Sequence, residues 1–404
     1  MRAIRQKGSM VPRGLSLIEI LVALAIAALL LLGLSQVFIG SKTAYRLQEG
    51  MSRSQENARF VMQYLEDNVR MGGYMGCAND VDLTTRNSSP PGFLNHLFLR
   101  TSLPGQPLVQ DLSSDPSNIY RFSRPIQGYE AAAVMPNAQP SLGNAGDWTP
   151  ALPANIAGQA VKGSDVIVLR FFSEESTPVI GAFDPKTSFT VGDASFVKSG
   201  GVYGISSCGS RADLFRATTS AGGVITTTLA SNPLTLTTGA DVNTWTGVNS
   251  AALFSQNGNV LNAEVHEARY LAVFVGLRGT EPVLKVADLS NPDVAQEFAD
   301  NVENMQLTYG LSDGTGNGVV GSYVKASDAG LAGANDAEID AKWRGVLSVR
   351  VGLLMRGQDQ AGVGQTANNN TYVVVDENIV RPVDGRFRDV YETTIALRNR
   401  LVNY

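Results

Sequence analysis

Leu17-Ile18-Glu19-Ile20-Leu21-Val22-Ala23-Leu24 sets one carboxylate inside an otherwise lipid-soluble run. Every side chain from Ile20 to Leu32 is apolar, and the run continues more weakly through Val37, Phe38 and Ile39. Ahead of it stand Gly14 and a short tail carrying Arg2, Arg5, Lys7 and Arg13. A charged side chain at the centre of a membrane helix costs roughly 2.5–3.5 kcal/mol on insertion scales, so it marks a function. A cut between Gly14 and Leu15 would supply its partner, because the new α-amino group is a cation four residues from Glu19.

Three readings compete for this segment. A secretory signal peptide would carry a small-residue cleavage site after the apolar run. Here the chain goes on as Gly40-Ser41-Lys42-Thr43-Ala44-Tyr45 into a helical pattern, and an acidic residue sits near the front of the apolar region. A plain single-span anchor is the second reading; the unbroken stretch is slightly short of the ~20 residues a span needs. The third rests on Gly14-Leu15-Ser16-Leu17-Ile18-Glu19, which resembles the type IV prepilin signature of Gly before the cut and Glu fifth in the mature chain. The resemblance implies that prepilin peptidase cleaves between Gly14 and Leu15 and methylates the Leu15 amine. It also implies that Glu19 sets the register of an incoming subunit by pairing with a neighbour's N-terminus. Leu15 departs from the commoner Phe or Met at that position.

The 404 residues exceed an ordinary single domain, and the 44% apolar and 17% charged content is globular. Removing the first fourteen residues leaves 28 basic against 37 acidic residues, a formal charge of −9. Such an acidic body argues against nucleic acid as a partner. Forty-one glycines with abundant Thr, Ser and Asn suggest a loop-rich β domain outside the cytoplasm. Both cysteines, Cys77 and Cys208, follow the apolar segment. If residues beyond about 40 face the periplasm, an even pair in an oxidising compartment should form a disulfide. It would close a loop of about 130 residues and add up to ~5 kcal/mol by chain entropy. Two unrelated buried thiols are the alternative.

Residues 15 to about 70 read as one helix. Tyr45, Ala58, Val61, Met62, Leu65 and Val69 recur at three- and four-residue steps, with charged residues between them and no proline. Gly33 and Gly50 are its weak points, and Gly72-Gly73 with Gly76 should end it. Residues 104–163 read as mostly irregular, and Thr-rich stretches between 217 and 250 suggest edge hairpins. Strands are expected at 166–172, 269–275, 283–286, 305–309, 346–355, 372–375 and 390–397, and a short helix from Asp293 to Asn304. The fold class is therefore α+β: a long N-terminal spine helix packed on an antiparallel β-sheet with large loop-rich insertions, a type IV pilin-like plan. The expected parts are a leader at 1–14, a membrane or filament-core helix at 15–39, its amphipathic continuation at 40–72, and a periplasmic β-rich headgroup at 73–404.

Beyond the leader, segments spread in order along the chain resemble the PilW branch of minor pilins. They include 70–77, Arg-Met-Gly-Gly-Tyr-Met-Gly-Cys, and 207–215, Ser-Cys-Gly-Ser-Arg-Ala-Asp-Leu-Phe. Others are 302–310, 343–351 and the C-terminal 393–400. This resemblance implies an inner-membrane precursor that becomes a low-abundance subunit near the pilus tip. Its implied partners are prepilin peptidase, other minor pilins, the major pilin and a large tip adhesin. A pseudopilin of type II secretion is the alternative, and a surface adhesin or DNA receptor a further one.

No nucleotide-binding, hydrolase or metalloprotease motif occurs, so no catalytic residue and no cofactor are expected. His96 reads as a loop residue, and His266 as part of a solvated strand face shared with Glu264. The turn Asp313-Gly314-Thr315-Gly316-Asn317-Gly318 is a weak Ca²⁺ candidate through Asp313 and Asn317; it offers one carboxylate where Ca²⁺ takes six to eight oxygens.

Overall fold

A computed structural model describes residues 16–76, 124–184, 188–207, 211–219, 224–226, 263–288, 293–314, 318–360, 369–382 and 384–397. It also describes short pieces at 98–99, 110–111, 119, 121–122, 255–256 and 259–260. Helix α1 runs from Leu17 to Met71, within two residues of the span expected from periodicity. Glu19 lies in its first turn and Arg70 in its last, each favourable to the helix dipole. The helix stops at Gly72, whose N–H donates to the Val69 carbonyl at 3.0 Å. Ser54, Ala58, Val61, Leu65 and Val69 form its buried stripe, at the three- and four-residue spacing of one helix face. Residues 17–42 are exposed throughout.

Beyond the helix, the chain first builds a large antiparallel sheet. Its main strands are β1 (Ile126–Ala131), β2 (Val166–Asp184), β3 (Val202–Ser207), β4 (Ala263–Arg278), β5 (Glu281–Asp288) and β6 (Gln296–Asp300). The order runs β6-β5-β4-β2, with β1 on β2 and β3 on β4. Leu271 pairs with Leu169 and Val273 with Ile167, and these four face the core that holds the α1 stripe. The alternate residues Val166, Val168, Tyr270, Ala272 and Phe274 face a second core with Tyr129, Trp148 and Ile156. A sheet covered on both faces explains why these strands read as continuous apolar runs.

A second sheet holds β7 (Val302–Ser312), β8 (Val320–Val324), β9 (Val346–Gln360) and β12 (Arg386–Ala396), in the order β8-β7-β9-β12. The hairpin of β10 (Asn369–Val374) and β11 (Glu377–Pro382) lies over it. Helix α2 (Asp336–Arg344) precedes β9. The sheet's two faces have different tasks. Leu353 sits opposite Tyr391, and both pack in the core that holds the α1 stripe, so this face covers α1. Gly352 sits opposite Glu392 on the other face, beneath the hairpin.

Two expectations need correction. Asp293 to Asn304 is not helical: Gln296–Asp300 pairs with β5, and Asn301 at φ 69° turns the chain into β7. The open edge of β5 offers ladder hydrogen bonds that outweigh a short local pattern. The segment expected to be mostly irregular at 104–163 also contains β1, which pairs with β2 of the large sheet. Of the Thr-rich stretch, the described parts are short strands at Thr218–Thr219 and Val224–Thr226.

Candidate functional site

The uncovered half of α1 is the most unusual surface. Fifteen large apolar side chains between Leu17 and Ile39 are exposed. At about 1.5–3 kcal/mol for each fully transferred side chain, leaving them in water would cost tens of kcal/mol. From Leu17 to Ile39 the helix is about 35 Å long, enough for the ~30 Å hydrocarbon core of a bilayer. Glu19 lies near the start of this face, exposed. Among the described residues it has no ion-pair partner, and the next cation along the helix is Lys42, about 35 Å away. The charge can be met only from outside the described helix. Residues 1–14 and Leu15, with the expected cut, lie outside the described residues.

The other half of α1 is fixed to the headgroup. Arg53 pairs with Glu49 at 2.7 Å and Arg70 with Glu66 on its outer side. Past its end, Gly73 N–H donates to the Arg170 carbonyl at 3.1 Å, and Tyr74 accepts from Phe172 N–H at 2.7 Å. These bonds lay the chain along β2 and bring Gly76 against β3. A Cβ on Gly76 would stand 2.8 Å from the Ser206 side chain and 2.6 Å from His266 Nε2, and φ is +69° there. Only glycine fits this approach. Gly76 precedes Cys77 by one residue and Ser206 precedes Cys208 by two. Both cysteines lie outside the described residues.

His266 differs from expectation. It is buried, not on a solvated face, because the 72–76 segment and β3 cover that side of β4. Its Nδ1 lies 2.9 Å from the Ser173 carbonyl, its ring stacks on Phe172, and Glu264 approaches at 3.7 Å. Burial pushes the imidazole pKa below its ordinary value. No group of three or more His, Cys, Asp or Glu able to hold a metal occurs among the described residues. Of the calcium candidates, Asp313 lies just past β7, and Asn317 falls outside the described residues, as does His96.

Sequence reasoning missed the buried charges. Glu303 is held by Arg381, Arg388 and Arg356, on β11, β12 and β9. Asp340 of α2 accepts from Arg121 and Arg124, both buried. Each carboxylate ties together segments far apart in the chain. The one legible signal was the start of α2, where Asn335 caps the Glu338 N–H at 3.0 Å and the Glu338 side chain accepts from Ala334 N–H.

Two family models match the chain. Residues 273–399 match the model described as type IV pilus-assembly protein W, and residues 11–35 match the prokaryotic N-terminal methylation motif. The first span runs from within β4 through the whole second sheet and its hairpin; the second covers the expected cut and the start of α1. No curated protein and no solved structure matches.

Proposed function

We infer, from the two family matches, that this chain is a PilW-type type IV pilin, stored in the inner membrane by α1 and then built into the pilus as a minor subunit. The observation that supports this most is the division of one helix. One stripe of its second half, Ser54 to Val69, is buried in the headgroup, while between Leu17 and Ile39 fifteen large apolar side chains and Glu19 are exposed, with Ser35 and Gln36 the other polar side chains there. A water-soluble protein would not leave that surface bare; a subunit that moves from bilayer to filament core needs it bare in both places.

Prepilin peptidase removes the leader, residues 1–14, between Gly14 and Leu15, and the Leu15 amine is methylated. Residues 15–39 then lie in the membrane or filament core, 40–72 carry the headgroup, and 73–404 stand in the periplasm and later outside the cell. Glu19 meets the Leu15 amine of a neighbouring subunit. At 4 Å and an effective dielectric of 20, that attraction is about 4 kcal/mol, more than the insertion penalty of a lone carboxylate. The chain joins other minor pilins in a priming complex that ends near the tip and supports a large adhesin, so it serves twitching and adhesion. Cys77 and Cys208 form a disulfide that locks the end of α1 to β3; the closeness of Gly76 and Ser206 supports this pairing.

Replacing Glu19 with Ala tests the register. The variant should be cleaved normally yet missing from sheared pili; piliation and twitching at the native level would refute the pairing. Peptide mapping of envelope material by mass spectrometry under non-reducing conditions should find an N-methylated Leu15 and a linked Cys77–Cys208 peptide. Loss of secretion with intact twitching in a deletion strain would move the chain to a type II secretion pseudopilus.

A further inference from the structure

On the sheet face turned away from α1, a recess of about 320 Å³ opens between β1, β7 and β11. Its charged lining is Glu130, Lys325 and Glu377, and the short run Ala131–Val134 with Ile379 forms apolar walls. Glu130 is 7% exposed. One of its oxygens accepts from Lys325 Nζ at 3.2 Å, and Lys325 also reaches Glu377. The second oxygen of Glu130 has no hydrogen-bond partner among the described residues. Asp165 lies close by, buried, accepting from the Ala131 and Leu307 N–H groups at 2.9 Å each. Three carboxylates thus share one ammonium among the lining and neighbouring described residues.

The partnerless oxygen is itself occluded and costly, and with Lys325 shared between the two lining carboxylates the recess is short of cationic charge. Burial pushes Glu130 above the usual carboxylate range, against the pull of Lys325, as expected where compensation is incomplete. The volume is at the small end of ligand pockets, and apolar walls beside a charged end suit a long cationic side chain that buries its methylenes. A guanidinium suits two separated carboxylates better than an ammonium, because its planar fork donates in several directions. The helix side of the molecule is committed to lipid or filament; this side is free of α1.

We propose that this recess receives an arginine side chain from a partner polypeptide, its guanidinium donating to Glu130 and Glu377. The proposal does not depend on leader cleavage or on Glu19. It is tested on the full chain in detergent with N-acetyl-arginine amide as probe, read by thermal melting and by calorimetric titration. Saturable binding at about millimolar concentration is expected. The neutral isostere N-acetyl-citrulline amide should not bind, and N-acetyl-lysine amide should bind several-fold more weakly. Glu130→Gln should weaken the arginine probe tenfold or more. Glu377→Gln, at the half-buried rim, should weaken it several-fold without the folding risk of a buried site. No saturable binding, equal binding of the citrulline probe, or unchanged binding in Glu377→Gln would overturn the proposal. Spermidine binding more tightly than the arginine probe would reassign the recess to free polyamines and overturn it too.

Discussion

The bulge between Val302 and Asn304 puts a carboxylate with no solvent exposure among three guanidinium groups, at 2.9 Å from Arg381, 2.5 Å from Arg388 and 3.7 Å from Arg356. Without the bulge, strand alternation would place Glu303 beside Met305 and Leu307 on the apolar face. Glu303→Gln leaves three buried cations facing a neutral amide, and a loss of about 3–5 kcal/mol is expected in chemical denaturation. A loss below about 1 kcal/mol would mean that Asp384 and Glu281 alone balance the cluster. Nothing in the sequence announces this network, because a bulge leaves no compositional trace. His266 illustrates the same limit: its residue type was visible, but the segment that covers it comes from 190 residues earlier. Its depressed pKa gives a signed expectation. Above the unfolded value of about 6.5, both states are neutral and stability is full. As pH falls from there, the unfolded chain takes the proton first, so stability declines until the folded pKa is crossed. Denaturation midpoints measured across this window should fall in the native chain and flatten in His266→Phe; parallel curves would exonerate His266.

Among the elements, those with period or continuity were readable and those made by chain crossing were not. The α1 stripe, the hairpin of β4 with β5, and the alternation Leu347, Val349, Val351, Leu353 in β9 all occur where expected. The edge strand β6 was misread, since its pairing with β5 is not a property of its own residues. The hairpin of β10 and β11 shows what such pairing can override. Its turn residues Val375 and Asp376 both have positive φ, 45° and 68°, where Asn-Gly is the usual choice. A β-branched residue there costs roughly 1–2 kcal/mol. Burial of Val375 and a 2.7 Å hydrogen bond from its N–H to Glu392 hold it in place. The seat for this turn is Gly352, where a Cβ would stand 2.5 Å from Val375 and 2.7 Å from Val374. Gly352→Ala should therefore lift the turn and destabilise the chain by about 1–3 kcal/mol. Hydrogen exchange should speed up at 369–382 while the β2–β4 pairing stays protected; uniform loss of protection would show that the hairpin is no separate unit.

At the scale of the whole molecule, one helix belongs to two environments, and the border between them can be located from burial. The first fully buried α1 residue is Ser54, and the stripe that follows joins the core shared by both sheets. Among the described residues, none N-terminal to it contributes a buried apolar side chain to the headgroup. Removing residues 1–44 should thus leave headgroup stability unchanged within about 0.5 kcal/mol, the range of surface changes. The same cut takes away all fifteen exposed apolar side chains between Leu17 and Ile39, so the product should sediment as a soluble protein without detergent. Extending the cut through Met62 removes Ser54, Ala58 and Val61 from the shared core. That opens a groove between the sheets and should cost several kcal/mol, on the scale of large-to-small core substitutions. Thermal melts of the two truncations decide the matter. If the shorter cut already lowers the melting temperature as much as the longer one, the exposed apolar half of α1 supports the headgroup directly, and the two halves cannot have separate tasks.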